Sequence, residues 1–220
     1  MPKKKSHDEP VSEQACEGLI TDIQEGKFRP GEFLPPSKLV LSHPNIGRTA
    51  WMYAIHELVG AGILEQGHHR RASVKKYSKE DVAHLFAMRR LCEREAGRLA
   101  AKGMDGGASH VLGQNLNFFL QSTPTEDDAP VNPDLSNQLH GSIMEAAQNK
   151  FLVQEIDGIR LIMKTFFSRL PLILPIVLTT VREHRDITKA LVNRNEKGIQ
   201  ELIEQHVDER EKDVLSKWDY

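Results

Sequence analysis

The sequence predicts a mainly α protein in two parts, an N-terminal winged helix-turn-helix followed by an all-helical antiparallel bundle. Three observations lead there. Apolar residues recur at helical spacing along most of the chain. The one segment with strand character begins at Ile63 and Leu64 and is turned back by GHHRR, residues 67–71, into ASVKKY. Beyond residue 78 there is neither strand alternation nor the spacing of a parallel sheet with crossover helices.

A chain of 220 residues accommodates two cores. The expected division is a flexible basic arm over 1–10, a winged helix-turn-helix over 11–76 and a helical unit over 77–220. With 27% charged and 39% apolar residues the composition is that of a folding chain, not a disordered one. No apolar run reaches the roughly 18 to 20 residues that a membrane helix needs, and the opening MPKKKSHDEP lacks the apolar centre of a signal peptide. A cytoplasmic protein with no membrane partner is the expectation. Cys16 and Cys92 both fall in helical apolar patterns, so no disulfide is expected. The net charge of −2 excludes a global basic field, and residues 1–76 carry only eleven basic against nine acidic side chains. Any contact with nucleic acid must therefore come from local placement of charge.

The first helix is predicted over about 11–25, with Ala15, Leu19, Ile20 and Ile23 on one face, and RPG at 29–31 follows it. LPPSKLVLSHP, 34–44, is a short helix that Pro35 and Pro36 can start and Pro44 must close. From Arg48 to Val59, Trp51, Ala54, Ile55 and Leu58 form a buried stripe and leave Arg48, Thr49, Met52, Tyr53 and His56 pointing outward. Gly60 and Gly62 stop that helix before the hairpin.

An α-helix fits the DNA major groove, and its N-terminal residues reach bases and phosphates. Arg48 and Thr49 hold that end, with Met52 and Tyr53 one turn on; His68, His69, Arg70 and Arg71 at the hairpin tip would meet the adjacent backbone or minor groove. The partner these features imply is double-stranded operator DNA. The same features also describe a small helical subdomain with a solvated basic turn.

The run LPPSKLVLSHPNIGRTAWMYAIHELVGAGIL resembles the DNA-binding domain of GntR-family bacterial regulators, whose pattern is LPSERELAxxLGVSRTxVREALxxLxxEGLV. The positions that match are Pro30, Gly31, Leu34, Pro35, Ile46, Arg48, Thr49, Ala54, Leu58, Gly62, Ile63 and Leu64, and the resemblance covers about 11–76. Gly47 stands where the family has Ser, Met52 where it has a second Arg, Tyr53 where it has Glu, and Arg71 where it has the wing glycine. The resemblance implies the fold but not the operator, since losing a bidentate Arg removes a guanine-type contact.

SKED at 78–81 is a capping box opening the second unit. The helix it starts runs to about Gly103, with Val82, Leu85, Phe86, Arg89, Cys92, Ala96 and Leu99 tracking one face and Arg89 interrupting its apolar character. Further helices are predicted over about 108–121, 134–148, 151–169, 176–193 and 196–218. STPTEDDAPVNP, 122–133, reads as a polar loop, and PLILP at 171–175 separates another pair.

Three of the ten histidines fall on apolar-facing positions of different predicted helices: His140, His184 and His206. Each alone is most simply a hydrogen-bonded core residue; together they can also build a metal site, since neutral imidazole is a common transition-metal ligand and bundle cores assemble such sites. Spacing leaves both open.

This bundle is similar to the FadR-like (FCD) ligand domain that accompanies many GntR-type regulators. RxxCE at 89–93, LHGSIMEAAQN at 139–149, HRDITKALVNRN at 184–195 and the closing HVDER carry the likeness. In the metal-binding branch of that family the counterparts of His140, His184 and His206 hold a divalent ion, with an Asp one turn before the first His. Here that position is Ser136, a weaker ligand than a carboxylate. The resemblance thus implies a three-His centre for a divalent transition metal of the zinc or nickel type, completed by water, by effector or by the Asn137 amide. Asp134, six residues from His140, lies about 120° away around the helix and is a poor substitute.

An open ion beside Arg89 suits a small carboxylate, and the family senses organic acids or sugar acids, so Arg89, Ser136 and Asn137 are the candidate effector-binding residues. Arg89 has an alternative role, an ion pair with Glu93 or Glu95. Arg160 and Arg169 are further candidate cations. The function expected is a homodimeric, DNA-binding transcriptional regulator, not an enzyme, whose operator affinity is controlled by a small carboxylate or sugar-acid effector. Two rivals are a DNA-binding dimer whose bundle only dimerises, and a three-His metalloenzyme. No HExxH pattern or placed general base favours the latter.

Overall fold

A computed structural model describes residues 11–34, 43, 45–67, 71–103, 133–167, 170 and 174–219, with backbone alone at 133–138 and 174–178. The short helix predicted within 34–44 and the helix predicted over 108–121 lie outside the described residues. Those described are mainly helical: α1 (Val11–Gln24), α2 (Arg48–Gly60), β1 (Leu64–Gln66), β2 (Ala72–Val74), α3 (Lys79–Gly103), α4 (Pro133–Ala147), α5 (Lys150–Phe167), α6 (Leu174–Val192) and α7 (Glu196–Lys217).

The chain divides into two compact units. Residues 1–78 group with Arg160–Arg169 and Tyr220, and the second unit is Lys79–Ile159 with Leu170–Asp219. One segment of α5 thus counts with the N-terminal unit. The chemistry there is plain: Gln24 Nε2 donates to the Lys164 carbonyl at 2.9 Å, and the Tyr77 and Phe166 rings meet edge to face at 5.2 Å.

In the first unit α1 packs on α2. Ala15, Leu19 and Ile23 are buried as the spacing predicts, whereas Ile20 is half-buried and Asp22 is buried completely. A buried carboxylate must be paired; Lys27 Nζ reaches Asp22 Oδ1 at 2.7 Å and His43 Nε2 reaches Oδ2 at 3.1 Å. The pair fastens the end of α1 to the segment ahead of α2. Helix α2 ends where Gly62 takes φ +76, with Ile63 N–H donating to the Leu58 carbonyl at 2.9 Å. Strands β1 and β2 pair antiparallel with Leu64 opposite Val74 and Gln66 opposite Ala72.

A two-stranded hairpin alone was expected, and the structure adds a third participant. Phe33 bridges Ser73, Gly31 N–H donates to the Val74 carbonyl at 2.7 Å and Leu34 N–H to the Ala72 carbonyl at 2.9 Å. One bridging residue has no alternation for a sequence pattern to register.

In the second unit α3 packs against α7, α4 and, less extensively, α6, while α6 packs against α7. The predicted inner face of α3 needs correction. Val82, Phe86 and Ala96 are buried, but Leu85, Cys92 and Leu99 are only half-buried, and the stripe continues through Glu93, Gly97, Ala100 and Ala101. Close approach to α7 selects small residues there over large ones. A Cβ at Gly97 would overlap Ile203 Cδ1 and stand 3.3 Å from Ile199 Cγ1. Flanking this seam, Arg90 Nε meets Asp208 Oδ1 at 2.6 Å, Arg94 Nη1 meets Glu204 Oε2 at 3.3 Å and Arg98 Nη1 meets Glu196 Oε2 at 3.2 Å. Arginines every fourth residue on α3 therefore read down α7 in the opposite direction. Each partly exposed pair contributes at most about 1 kcal/mol. Asn195 caps α7, its side chain accepting from Gly198 N–H at 3.0 Å.

Gly97→Val is expected to destabilise the protein by about 1–3 kcal/mol through overpacking, read as a lower thermal midpoint. Adding Ile203→Ala should recover part of the loss; a double variant no more stable than the sum of its parts would place the strain elsewhere.

Candidate functional site

Two clusters of exposed or polar side chains stand out, one in each unit. On α2, Trp51, Ala54 and Leu58 are buried and Ile55 half-buried, which turns Arg48, Thr49, Met52, Tyr53 and His56 to solvent. Met52 and Tyr53 are 58% and 49% exposed, unusual for large side chains on a helix with a packed side. Gly47, the N-cap residue, is extended and contributes no side-chain cap, so the first-turn N–H groups are not consumed by a cap side chain. Beside the hairpin, the Arg71 guanidinium lies 4.6 Å above the ring of Phe33. His68, His69 and Arg70 lie outside the described residues. The described part of the array is a helix-sized convex face with an Arg at its N-terminal end, plus one Arg braced by an aromatic ring.

In the second unit the three histidines singled out by the sequence come together. His140 on α4, His184 on α6 and His206 on α7 are all buried, and each offers a ring nitrogen within 4.8 Å of the others. Ring centroids are 5.2 Å apart for His140 and His184, 5.3 Å for His140 and His206 and 4.9 Å for His184 and His206. Burial, reinforced by the neighbouring imidazoles and Arg89, holds His184 and His206 well below the usual imidazole pKa. Both are neutral at physiological pH, the form that carries a lone pair.

Two carboxylates stand behind the rings. His206 Nδ1 is 2.7 Å from Glu183 Oε2, and His140 Nδ1 is 3.4 Å from Glu93 Oε2, the longer and weaker contact. The Glu183 carboxylate, when ionised, accepts from the Nδ1–H of His206, which leaves Nε2 of that ring as the available donor atom. Glu93 is buried, and burial alone would raise its pKa; Arg89 and His140 overcome that and hold it well below the carboxylate range. Arg89 Nε donates to Glu93 Oε1 at 2.8 Å, so the internal ion pair that the i, i+4 spacing allowed is formed. Burial pushes Glu183 up to about 7, with Arg210 opposing and Glu209 adding.

This donor set fits a divalent ion of the borderline type. Three buried imidazoles converge, a carboxylate orients that of His206, and the rings are close enough to share one centre. Ser136 and Asn137 belong to α4, but their side chains lie outside the described residues, as does that of Asp134. Arg160 groups with the first unit, and Arg169 lies outside the described residues.

Sequence reasoning missed two participants. Glu183 immediately precedes His184 yet serves His206, a pairing across helices that no spacing announces. Arg210 follows His206 by one turn within HVDER, a signal available in the sequence, and its electrostatic influence reaches His184.

Residues 84–209 match the FCD domain family. A protein named as the probable D-xylose utilization operon transcriptional repressor of Paenarthrobacter nicotinovorans is 25% identical over 195 residues, covering 88% of this chain and 82% of that one. Among solved structures, McbR/YncC of E. coli superposes with a TM-score of 0.72 at 14% identity, over 94% of this chain and 98% of that one. A GntR-type transcriptional regulator of Rhodococcus sp. RHA1 gives 0.69 at 16% identity, over 94% and 99%. At these identities the structural likeness speaks for the fold, a winged helix-turn-helix with a helical bundle. Among the described residues no helix is long and apolar enough to cross a membrane. Family match and relative agree: the chain belongs to the FCD-domain family and is a transcriptional regulator, not an enzyme.

Proposed function

We propose that this regulator is a homodimer that binds operator DNA through its N-terminal unit, and that a small organic-acid or sugar-acid effector, held beside a divalent transition metal in the 77–220 bundle, sets its operator affinity. The convergence of His140, His184 and His206 carries the reading. Three buried imidazoles within reach of one centre are costly as mere core residues, because each must find a hydrogen bond away from water. As ligands they share one solution. When bound, the ion supplies open coordination positions for a carboxylate oxygen. This chain's own groups do the rest: Glu183 orients the His206 ring, Arg89 neutralises Glu93, and the bundle excludes water. The relative named for D-xylose utilization is compatible with a sugar-acid effector.

On DNA, Arg48 and Thr49 at the start of α2 would contact phosphates and base edges, with Met52 and Tyr53 offering apolar and aromatic contact where the family carries Arg and Glu. His68, His69, Arg70 and Arg71 would add backbone or minor-groove contacts. Effector binding would change the spacing of the two DNA-binding units of the dimer through the short KKYS connection at 75–78.

Two outcomes are expected. Nickel or zinc added to chelator-treated protein should raise its melting temperature, by the equivalent of about 2.7 kcal/mol at a hundredfold excess over Kd, and His184→Ala should abolish the rise. An unchanged melting curve for the wild-type chain would leave the bundle a dimerisation module. Arg48→Ala should weaken operator binding by about 1–3 kcal/mol in a fluorescence-anisotropy titration at fixed salt, while the melting temperature stays put because Arg48 is exposed.

A further inference from the structure

We infer that Arg210 is the second anchor of the effector chamber, and that the effector is therefore a short dicarboxylate, with one acidic group at the three-histidine end and the other on the Arg210 guanidinium. The inference rests on the chamber reading above and deepens it.

Arg210 lies one helical turn after His206 on α7, so the two side chains share a face with Cβ atoms about 5–6 Å apart. Its Nε is buried and has no hydrogen-bond partner among the described residues. The carboxylates that bear on it are Glu183, Asp213 and Glu209, and all three are engaged elsewhere: Glu183 with His206 Nδ1 at 2.7 Å, Asp213 with Lys217 Nζ at 2.6 Å and Glu209 with Lys212 Nζ at 2.8 Å. Burial lowers the Arg210 pKa despite those carboxylates, and the nearby charge of Arg89 lowers it further. The other guanidinium, Arg89, donates its Nε to Glu93. Of the two cations beside the histidines, one is thus neutralised internally and the other is not.

A half-buried guanidinium whose Nε–H is unspent is a costly arrangement in the free protein and a favourable one once an anion arrives, because Arg matches a carboxylate with two parallel hydrogen bonds. The histidine centre, loaded with a divalent ion, and Arg210 make two positive positions a single turn apart. A monocarboxylate satisfies one of them. A ligand with acidic groups separated by a few bonds satisfies both.

The test uses the full-length protein loaded with nickel and calorimetric titration of succinate and malate against acetate and lactate, with inorganic phosphate as a compact dianion. Succinate or malate should bind at least about tenfold more tightly than either monocarboxylate. Arg210→Met should remove that preference while leaving the nickel-induced rise in melting temperature and the ligand-free stability at wild-type levels. Arg210→Lys, which keeps the charge without the planar fork, should retain part of it. Equal binding of mono- and dicarboxylates, a preference that survives in Arg210→Met, or phosphate binding as well as the dicarboxylates would overturn the inference. So would a ligand-free Arg210→Met protein less stable than wild type, which would make Arg210 a structural partner. A wild-type protein unresponsive to nickel would sink the chamber reading and this inference together; a normal nickel response without dicarboxylate preference sinks this inference alone.

Discussion

The close approach of α3 and α7 is the constraint on which the second unit depends. At Gly97 the facing helix leaves no room for a side chain, and Ile199 and Ile203 fill the space a Cβ would take. One turn toward the N-terminus the same face of α3 presents Glu93, which is therefore carried into the interior with no access to water. A carboxylate there survives only if it is compensated. Arg89 and His140 supply the compensation, and so the packing contact places a buried charge beside the histidine cluster. The flanking pairs of Arg90, Arg94 and Arg98 with acidic residues of α7 add little energy individually. Their antiparallel order nevertheless suits only one register of the two helices.

The three-histidine cluster illustrates how a bundle can turn three weak bases into a candidate ligand set. Burial favours the neutral imidazole, and a carboxylate behind the ring chooses which nitrogen keeps its lone pair. Because the three histidines come from α4, α6 and α7, an ion held among them would be felt by several helices at once. That is the property a sensing domain requires.

The first unit solves a similar problem for a different end. Asp22 is buried at the end of α1 and answered by Lys27 and His43, the latter just ahead of α2. This polar clasp and the Trp51, Ala54 and Leu58 stripe fix one side of α2. The other side is left free to carry Arg48, Thr49, Met52 and Tyr53 as exposed groups. Rigidity behind and exposure in front are what a groove-reading helix needs.

Much of this was legible in the residues alone. Helical periodicity located the described helices to within about two residues, and the Gly62 stop, the hairpin and the three unusual histidines followed from local rules, because capping, turn chemistry and amphipathic spacing act over a few residues. What the sequence could not decide was partnership across helices. It placed Leu85, Cys92 and Leu99 on the inner face of α3, where the structure buries Glu93 and Gly97, since apolar size says nothing about how near the next helix will lie. It left His140, His184 and His206 open between core and chamber, gave Glu183 no role and offered Phe33 no strand. Each of these depends on distances between residues far apart in the chain, set only when side chains pack at interior density and every buried charge finds its counterpart.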